Sequence, residues 1–296
     1  MSKRNILKPA NYMKTIEILD VSLRDGGHRT NFHFSDQELQ HILTALDKSG
    51  IEYIEIGYRN GLAGLASPVG RAGLCERDYL YFCQSLIKHA KIAVMIHPQN
   101  ILESDLLELK KCGVTLIRVC VLKDKLIDAL SFFKKVKNLS LKLSINFTNM
   151  SHYQPAELDG LIKQIIQFEP DMIYFADSNG SITPEKISMI YQKYTQQYAI
   201  PFGFHAHDNL GLAQANALAA IHSGATFIDA SLAGMGKGIG NLKTEFFAAY
   251  LQATKTKTYN LAELLTASNY VRHALGIGHE PIEWDEFNRG ISDPAY

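Results

Sequence analysis

Residues 204–211 read "FHAHDNLG". His205 and His207 close a short apolar run, and residues two apart in a strand share one face because successive side chains alternate. Two imidazoles on one face can chelate a divalent cation; two solvated histidines at a strand end are the competing explanation. A second chemical cluster, "LRDGGH", brings Arg24, Asp25 and His28 after another apolar run. A third, "GMGKGIGN", runs from Gly234 to Asn241. Its glycines do not match G-x-G-x-x-G, and Gly238 after Lys237 breaks the G-K-[ST] of a P-loop. Phosphate binding there remains an alternative. The favoured reading is a bending loop that brings the Asn241 amide oxygen to the histidines, with capping of the following helix as the competing role.

Such residues need a frame, and the sequence supplies a regular one. Runs rich in branched apolar residues recur eight times, at "IEILDVSL", "IEYIEIG", "KIAVMI", "LIRVCV", "LKLSINF", "MIYFAD", "PFGFHAH" and "TFIDASLAG". Helical segments alternate with them. In "SDQELQHILTALDKSG" Ser35 is a helix N-cap, Glu38 completes a capping box and Gly50 ends the helix. "PAELDGLIKQIIQFEP", "TPEKISMIYQKYTQQYA" and "NLGLAQANALAAIHSG" follow the same plan, with proline early or glycine late.

Eight alternating units with near-continuous apolar strands predict a parallel (β/α)8 TIM barrel, with a doubly wound open sheet as the alternative. One further helix is expected from about Tyr259 to Leu275, then an irregular tail, "GIGHEPIEWDEFNRGISDPAY". The expected organisation is a catalytic barrel over residues 14–275 and a C-terminal tail over 276–296 that serves as a lid or packs against the barrel side.

Barrel enzymes carry their sites where strands end and loops begin. Those junctions are polar here: Asp25 and His28 after strand 1, Glu55 in strand 2, Arg118 in strand 4, "NFTNMSH" after strand 5, "ADSNG" after strand 6, and the histidine pair at strand 7. In a closed barrel only strand 8 separates strands 7 and 1, so Asp25 can meet His205 and His207. One carboxylate and two imidazoles hold an open divalent site suited to Mn²⁺, Co²⁺, Zn²⁺ or Fe²⁺, with Asn241 as a fourth ligand.

Composition removes several function classes. The 296 residues are 46% hydrophobic, and 30 basic residues balance 30 acidic ones. This balance leaves no electrostatic footprint for nucleic acid or an anionic membrane. Cys75, Cys83, Cys112 and Cys120 form no C-x-x-C pair and are expected as small buried hydrophobes. The N-terminus "MSKRNILKPANYMK" has no apolar signal stretch, so a cytoplasmic protein with free thiols is expected.

Together, "LDVSLRDGGH", "HAHDNLGLAQANALAAIHSGATFIDASLAGMGKGIGN" and the eight-unit layout resemble the DRE-TIM metallolyases, the HMGL-like superfamily named for a D-x-x-L-R-D signature. The resemblance spans roughly residues 16–255. His28 three residues after Asp25, "NMSHYQPAEL" and "IYFADSNG" are similar to the 4-hydroxy-2-oxovalerate aldolase branch. Condensing synthases have R-D-G-x-Q instead, and the cysteine of the CoA-lyase glycine loop is absent from residues 234–241. An acyl-CoA condensing synthase or lyase of the same superfamily is the alternative.

The resemblance implies a metal-dependent cleavage or formation of a 4-hydroxy-2-oxo acid, giving pyruvate enolate and an aldehyde. Asp25, His205, His207 and Asn241 would hold the ion, with Mn²⁺ first and Co²⁺, Zn²⁺ or Mg²⁺ as alternatives. Arg24 would stabilise the enolate oxygen, its competing role being a structural tie to Glu55. His28 would take the C4 hydroxyl proton, and Ser178 would contact the substrate carboxylate. The expected partners are the small 2-oxo acid and aldehyde, with no nucleic acid or membrane, and a homodimer is left open. The short C-terminus leads to the expectation of a stand-alone aldolase rather than one docked to an aldehyde dehydrogenase. In the lid version of the tail, Trp284 and Phe287 are the anchors and Tyr296 lies near the substrate.

Overall fold

A computed structural model describes residues 15–61, 67–123, 125–279 and 283–295. Eight parallel strands close in sequence order: β1 (Glu17–Asp20), β2 (Tyr53–Tyr58), β3 (Lys91–Ile96), β4 (Val114–Val121), β5 (Lys142–Phe147), β6 (Met172–Asp177), β7 (Phe202–Ala206) and β8 (Phe227–Ala230). β8 pairs with both β7 and β1, so the open sheet is excluded. Each strand ran to within a few residues of its apolar run in the sequence. β8 ends at Ala230, short of the Gly234 that closes its run, and β1, expected to continue to Leu23, ends at Asp20. There Asp20 Oδ1 accepts from the Ser22 N–H at 2.9 Å. The N–H groups of Arg24 and Asp25 then both turn back to the Val21 carbonyl, at 3.1 and 2.9 Å.

The helix Asp36–Ser49 begins as its sequence predicts, with the Ser35 side chain accepting from Glu38 N–H and the Glu38 side chain accepting from Ser35 N–H. Gly50 ends it at φ 89°, a left-handed conformation that costs glycine little. Leu39, Ile42, Leu43 and Leu46 on its inner face are fully buried, at roughly 1.5–3 kcal/mol for each large apolar side chain removed from water. The helix Leu261–Ala274 matches the expected last barrel helix closely.

The barrel interior has two different layers. At the N-terminal end Leu19, Val21, Tyr53, Leu116, Met172 and Phe227 form an apolar plug. Nearer the C-terminal end the next inward positions are Glu55, Arg118, His205 and Asp229, all buried. Tyr174 separates the layers, its ring 4.3 Å from the Arg118 guanidinium carbon. It fits because position 203 is glycine: a Cβ there would stand 2.4 Å from the Tyr174 ring.

The tail departs from expectation. Trp284–Ser292 is a helix, with Asp285 and Glu286 in its first turn, where acidic side chains favour the helix N-terminus. Trp284 and Phe287 are not anchors, being 69% and 39% exposed. Attachment comes from other residues: Glu286 lies 3.7 Å from Arg29, and Gly290 packs on Leu210 where a side chain would not fit. Tyr296 lies outside the described residues. None of the described helices is long and apolar enough to cross a membrane.

Candidate active site

One cavity of about 380 Å³ opens at the C-terminal end of the barrel and is lined by Arg24, Asp25, His28, Ser178, His205 and His207 among others. These predicted residues therefore converge, although they come from three different strand ends, those of β1, β6 and β7. Asp25 lies in the turn after β1, and His28 in the 3-10 helix Gly26–Arg29. His205 is in β7, while His207 lies one residue beyond it and bridges to Asn241. The ligand atoms of Asp25, His205 and His207 all lie within 4.8 Å of one another and the three residues are buried.

The chemistry of this donor set fits a cation. His205 Nδ1 is 3.0 Å from Asp229 Oδ2, and His207 Nδ1 is 3.2 Å from the Lys237 carbonyl oxygen. Each acceptor requires a proton on Nδ1, which leaves the two Nε2 lone pairs facing each other at 3.3 Å. A cation beside them turns that repulsion into ligation. Protonating His207 instead is opposed first by burial and then by His205 and Arg24, which push it down to about 4 against the pull of Asp25. Burial also disfavours the Asp25 carboxylate, but Arg24, His207 and His205 outweigh it and hold the group well below the usual carboxylate range. Asn241 donates from Nδ2 to Asp25 Oδ2 at 2.8 Å. Its Oδ1 is buried with no partner among the described residues, as an amide oxygen reserved for a ligand would be. The capping role is not observed: the next helix starts at Thr244, after Lys243, with no side-chain cap.

The glycine loop serves this cluster through its backbone. Lys237 N–H points to Asp25 Oδ2 at 3.2 Å, and the same residue supplies the carbonyl that orients His207. Asn209 Oδ1 holds the loop from the other side by accepting from Ile239 N–H at 3.1 Å.

Arg24 makes the tie to Glu55 that the sequence offered as its structural role, and it also lines the cavity. Its Nε donates to Glu55 Oε2 at 2.7 Å, and its Nη1 donates to Asp25 Oδ1 at 2.6 Å. Arg118 donates to the same Glu55 oxygen and to Asp229 Oδ2, both at 2.8 Å. Glu55 thus orients Arg24, Asp229 orients His205, and Arg118 joins the two carboxylates. Asp229 was missed by sequence reasoning. The signal was available, since a carboxylate inside the apolar run "TFIDASLAG" must have a buried partner.

His28 is half-buried rather than a free loop side chain. It stands edge-on to Phe32 and Tyr58, with ring centroids 5.0 and 6.4 Å away. Burial, helped by Arg24 and Lys237 and opposed by Asp25, lowers it from its ordinary 6.5, so the imidazole is neutral and can accept a proton. Beyond Tyr58 the His97 ring also lines the cavity, and burial followed by the Arg24 charge takes it to about 4. Ser178 Oγ accepts from Asn149 N–H at 2.9 Å, which leaves its own hydrogen as a donor. All four cysteines are buried and free, as expected; burial raises Cys120 beside the cavity to about 12, so it is no thiolate nucleophile.

The HMGL-like family profile matches residues 15–271. The chain belongs to the HMGL-like family. A Carboxydothermus hydrogenoformans protein named 4-hydroxy-2-oxovalerate aldolase is 36% identical over 241 residues, covering 80% of this chain and 71% of that one. One of the same name from Geobacillus genomosp. 3 is 32% identical over 260 residues, covering 87% and 77%. These relatives place the chain in the aldolase branch of the DRE-TIM superfamily. The solved N-terminal domain of a candidate aldolase from Bacteroides vulgatus superposes with TM-score 0.83 at 29% identity, covering 94% of this chain and 93% of that one. The HMG-CoA lyase of Bacillus subtilis shares the fold, with TM-score 0.75 at 19% identity and coverage of 93% and 97%.

Proposed function

We propose that this HMGL-like protein is a divalent-metal-dependent aldolase that cleaves or forms a 4-hydroxy-2-oxo acid, with pyruvate and an aldehyde on the other side of the reaction. The observation that carries the reading is the buried Asp25, His205 and His207 cluster sharing one cavity with Arg24 and His28. Asp25, His205, His207 and the Asn241 amide oxygen are the residues that would hold the ion. A mixed set of two imidazole nitrogens and carboxylate and amide oxygens suits Mn²⁺ first, with Co²⁺, Zn²⁺ or Mg²⁺ as alternatives. When bound, the ion supplies Lewis acidity against the negative charge that develops on the 2-oxo group.

The protein's own groups account for the remaining work. In the cleavage direction His28 removes the C4 hydroxyl proton, the C3–C4 bond breaks, and its electron pair becomes the enolate of pyruvate while C4 leaves as the aldehyde. Arg24, held rigid by Glu55, donates to the enolate oxygen as its charge grows. Ser178 donates to the substrate carboxylate. The barrel over residues 14–275 is the catalytic unit, and the tail over 276–296 is its cover.

A pyruvate-release assay over a series of 4-hydroxy-2-oxo acids, with the Mn²⁺-loaded protein, tests the reading. Metal-dependent pyruvate formation is the expected result. Consumption of a 2-oxo acid only in the presence of an acyl-CoA would replace it with the condensing-synthase alternative.

A further inference from the structure

The end of the tail is tied to two loops that frame Ser178. Asp293 Oδ1 accepts from Ser151 Oγ at 2.9 Å and from Asn179 Nδ2 at 2.7 Å. His152 Nε2 lies 3.1 Å from the Asp293 carbonyl oxygen and 3.2 Å from Oδ1, and Asn179 Nδ2 also reaches the Pro294 carbonyl at 3.2 Å. Ser151 and His152 belong to the loop after β5, and Asn179 to the loop after β6. Directly beneath this tie the same loops are joined again, by Asn149 N–H donating to Ser178 Oγ. Asp293 therefore forms the outer of two cross-links, and the inner one fixes Ser178 at the cavity wall.

The tie continues inward. Asn179 is fully buried, and its carbonyl accepts from Asn209 Nδ2 at 3.0 Å. Gly180 next to it lies at φ 59°, and a Cβ there would stand 2.7 Å from the His207 carbonyl oxygen. The loop after β6 is thus wedged against the backbone of the candidate metal ligand, and Asp293 holds it through Asn179. A helix C-cap alone would not need these bonds; a carboxylate receiving donors from both loops serves the loops.

We propose that Asp293 is a positioning residue that locks the loops after β5 and β6 together so that Ser178 can bind the carboxylate of a 2-oxo acid. The inference rests on the aldolase reading above. It makes the tail part of the substrate site, acting through the loops.

Because Asp293 sits at φ 46°, Asp293→Gly removes the carboxylate without straining the backbone, and Asp293→Asn keeps one oxygen that can accept both donors. Pyruvate affinity and KM are to be measured on the Mn²⁺-loaded protein in the condensation direction, with Mn²⁺ affinity as a parallel readout. Losing one hydrogen bond to a charged group predicts pyruvate affinity about tenfold weaker in Asp293→Gly. Mn²⁺ affinity and kcat should stay near wild type, and Asp293→Asn should restore most of the loss. Because the two residues act in series, adding Asp293→Gly to Ser178→Ala should weaken pyruvate binding no further than Ser178→Ala alone. Wild-type pyruvate affinity in Asp293→Gly, or full additivity in the double variant, overturns the inference while leaving the aldolase reading intact. A wild-type protein that binds Mn²⁺ but no pyruvate overturns both.

Discussion

The two sides of the barrel mouth are built by different means. On the β7–β8–β1 side, His205 and Asp229 are held by strand register, Asp25 is held in the turn after β1 by Arg24, and buried bonds lead from all three to Glu55 and Arg118. On the β5–β6 side, Ser178 is held by a loop-to-loop bond beneath a tail whose helix leaves Trp284, Phe287 and Ile291 exposed. A metal centre needs its ligands fixed to within fractions of an ångström, which a closed ladder of strands supplies. A substrate subsite can be assembled from loops and adjusted by what covers them. Changes on the first side should therefore abolish or cripple the chemistry, and changes on the second should adjust binding.

His28 stands on the chemical side without being a ligand, and is the sharpest test of that division. His28→Ala should lower turnover by roughly 10²–10⁴ while metal content stays at the wild-type level. An active variant, or one that has lost its metal, would remove His28 from the role of base. The neutral imidazole is the working form and its pKa lies below 6.5. Wild-type kcat/KM should therefore hold as the pH falls to 6.5 and decline only below it, with the variant lacking that limb.

Next in size is Asp229→Asn. Weakening the bond that fixes the His205 tautomer should cost roughly 10–100-fold in metal affinity, measured by titrating the metal-free protein with Mn²⁺. Unchanged affinity would mean that strand register alone orients His205, and the contrast between a networked and a loop-built side would lose its main support.

How far the sequence could be read follows the same division. The eight apolar runs and the cap signals made the barrel legible, and i,i+2 spacing made the histidine pair legible, because both are local periodicities. Asp25 could be joined to that pair only by assuming closure. Asp229 stood out as an acid inside an apolar run, but its partners Arg118 and His205 lie on other strands, so no local spacing named them. The tail reads as irregular from sequence, and Trp284 and Phe287 are anchors only in its lid version. In the fold Gly290 instead allows close approach to Leu210, and Asp293 makes the attachment that the aromatic residues do not.

The smallest effect follows from that correction. Phe287→Ser, at an exposed position, should change unfolding free energy by no more than about 0.5 kcal/mol in thermal or denaturant melts. A loss of several kcal/mol would restore Phe287 as an anchor and make the tail as firmly built as the metal side.

The central claim is that Asp25, His205 and His207 hold a divalent ion on which pyruvate formation depends. Elemental analysis and pyruvate-release assays on the same preparations of wild type and His205→Ala test it most directly. The account predicts about one ion per wild-type chain, and parallel loss of ion and activity in the variant. A folded His205→Ala protein that keeps a full complement of metal, or that releases pyruvate at the wild-type rate without it, would contradict the account.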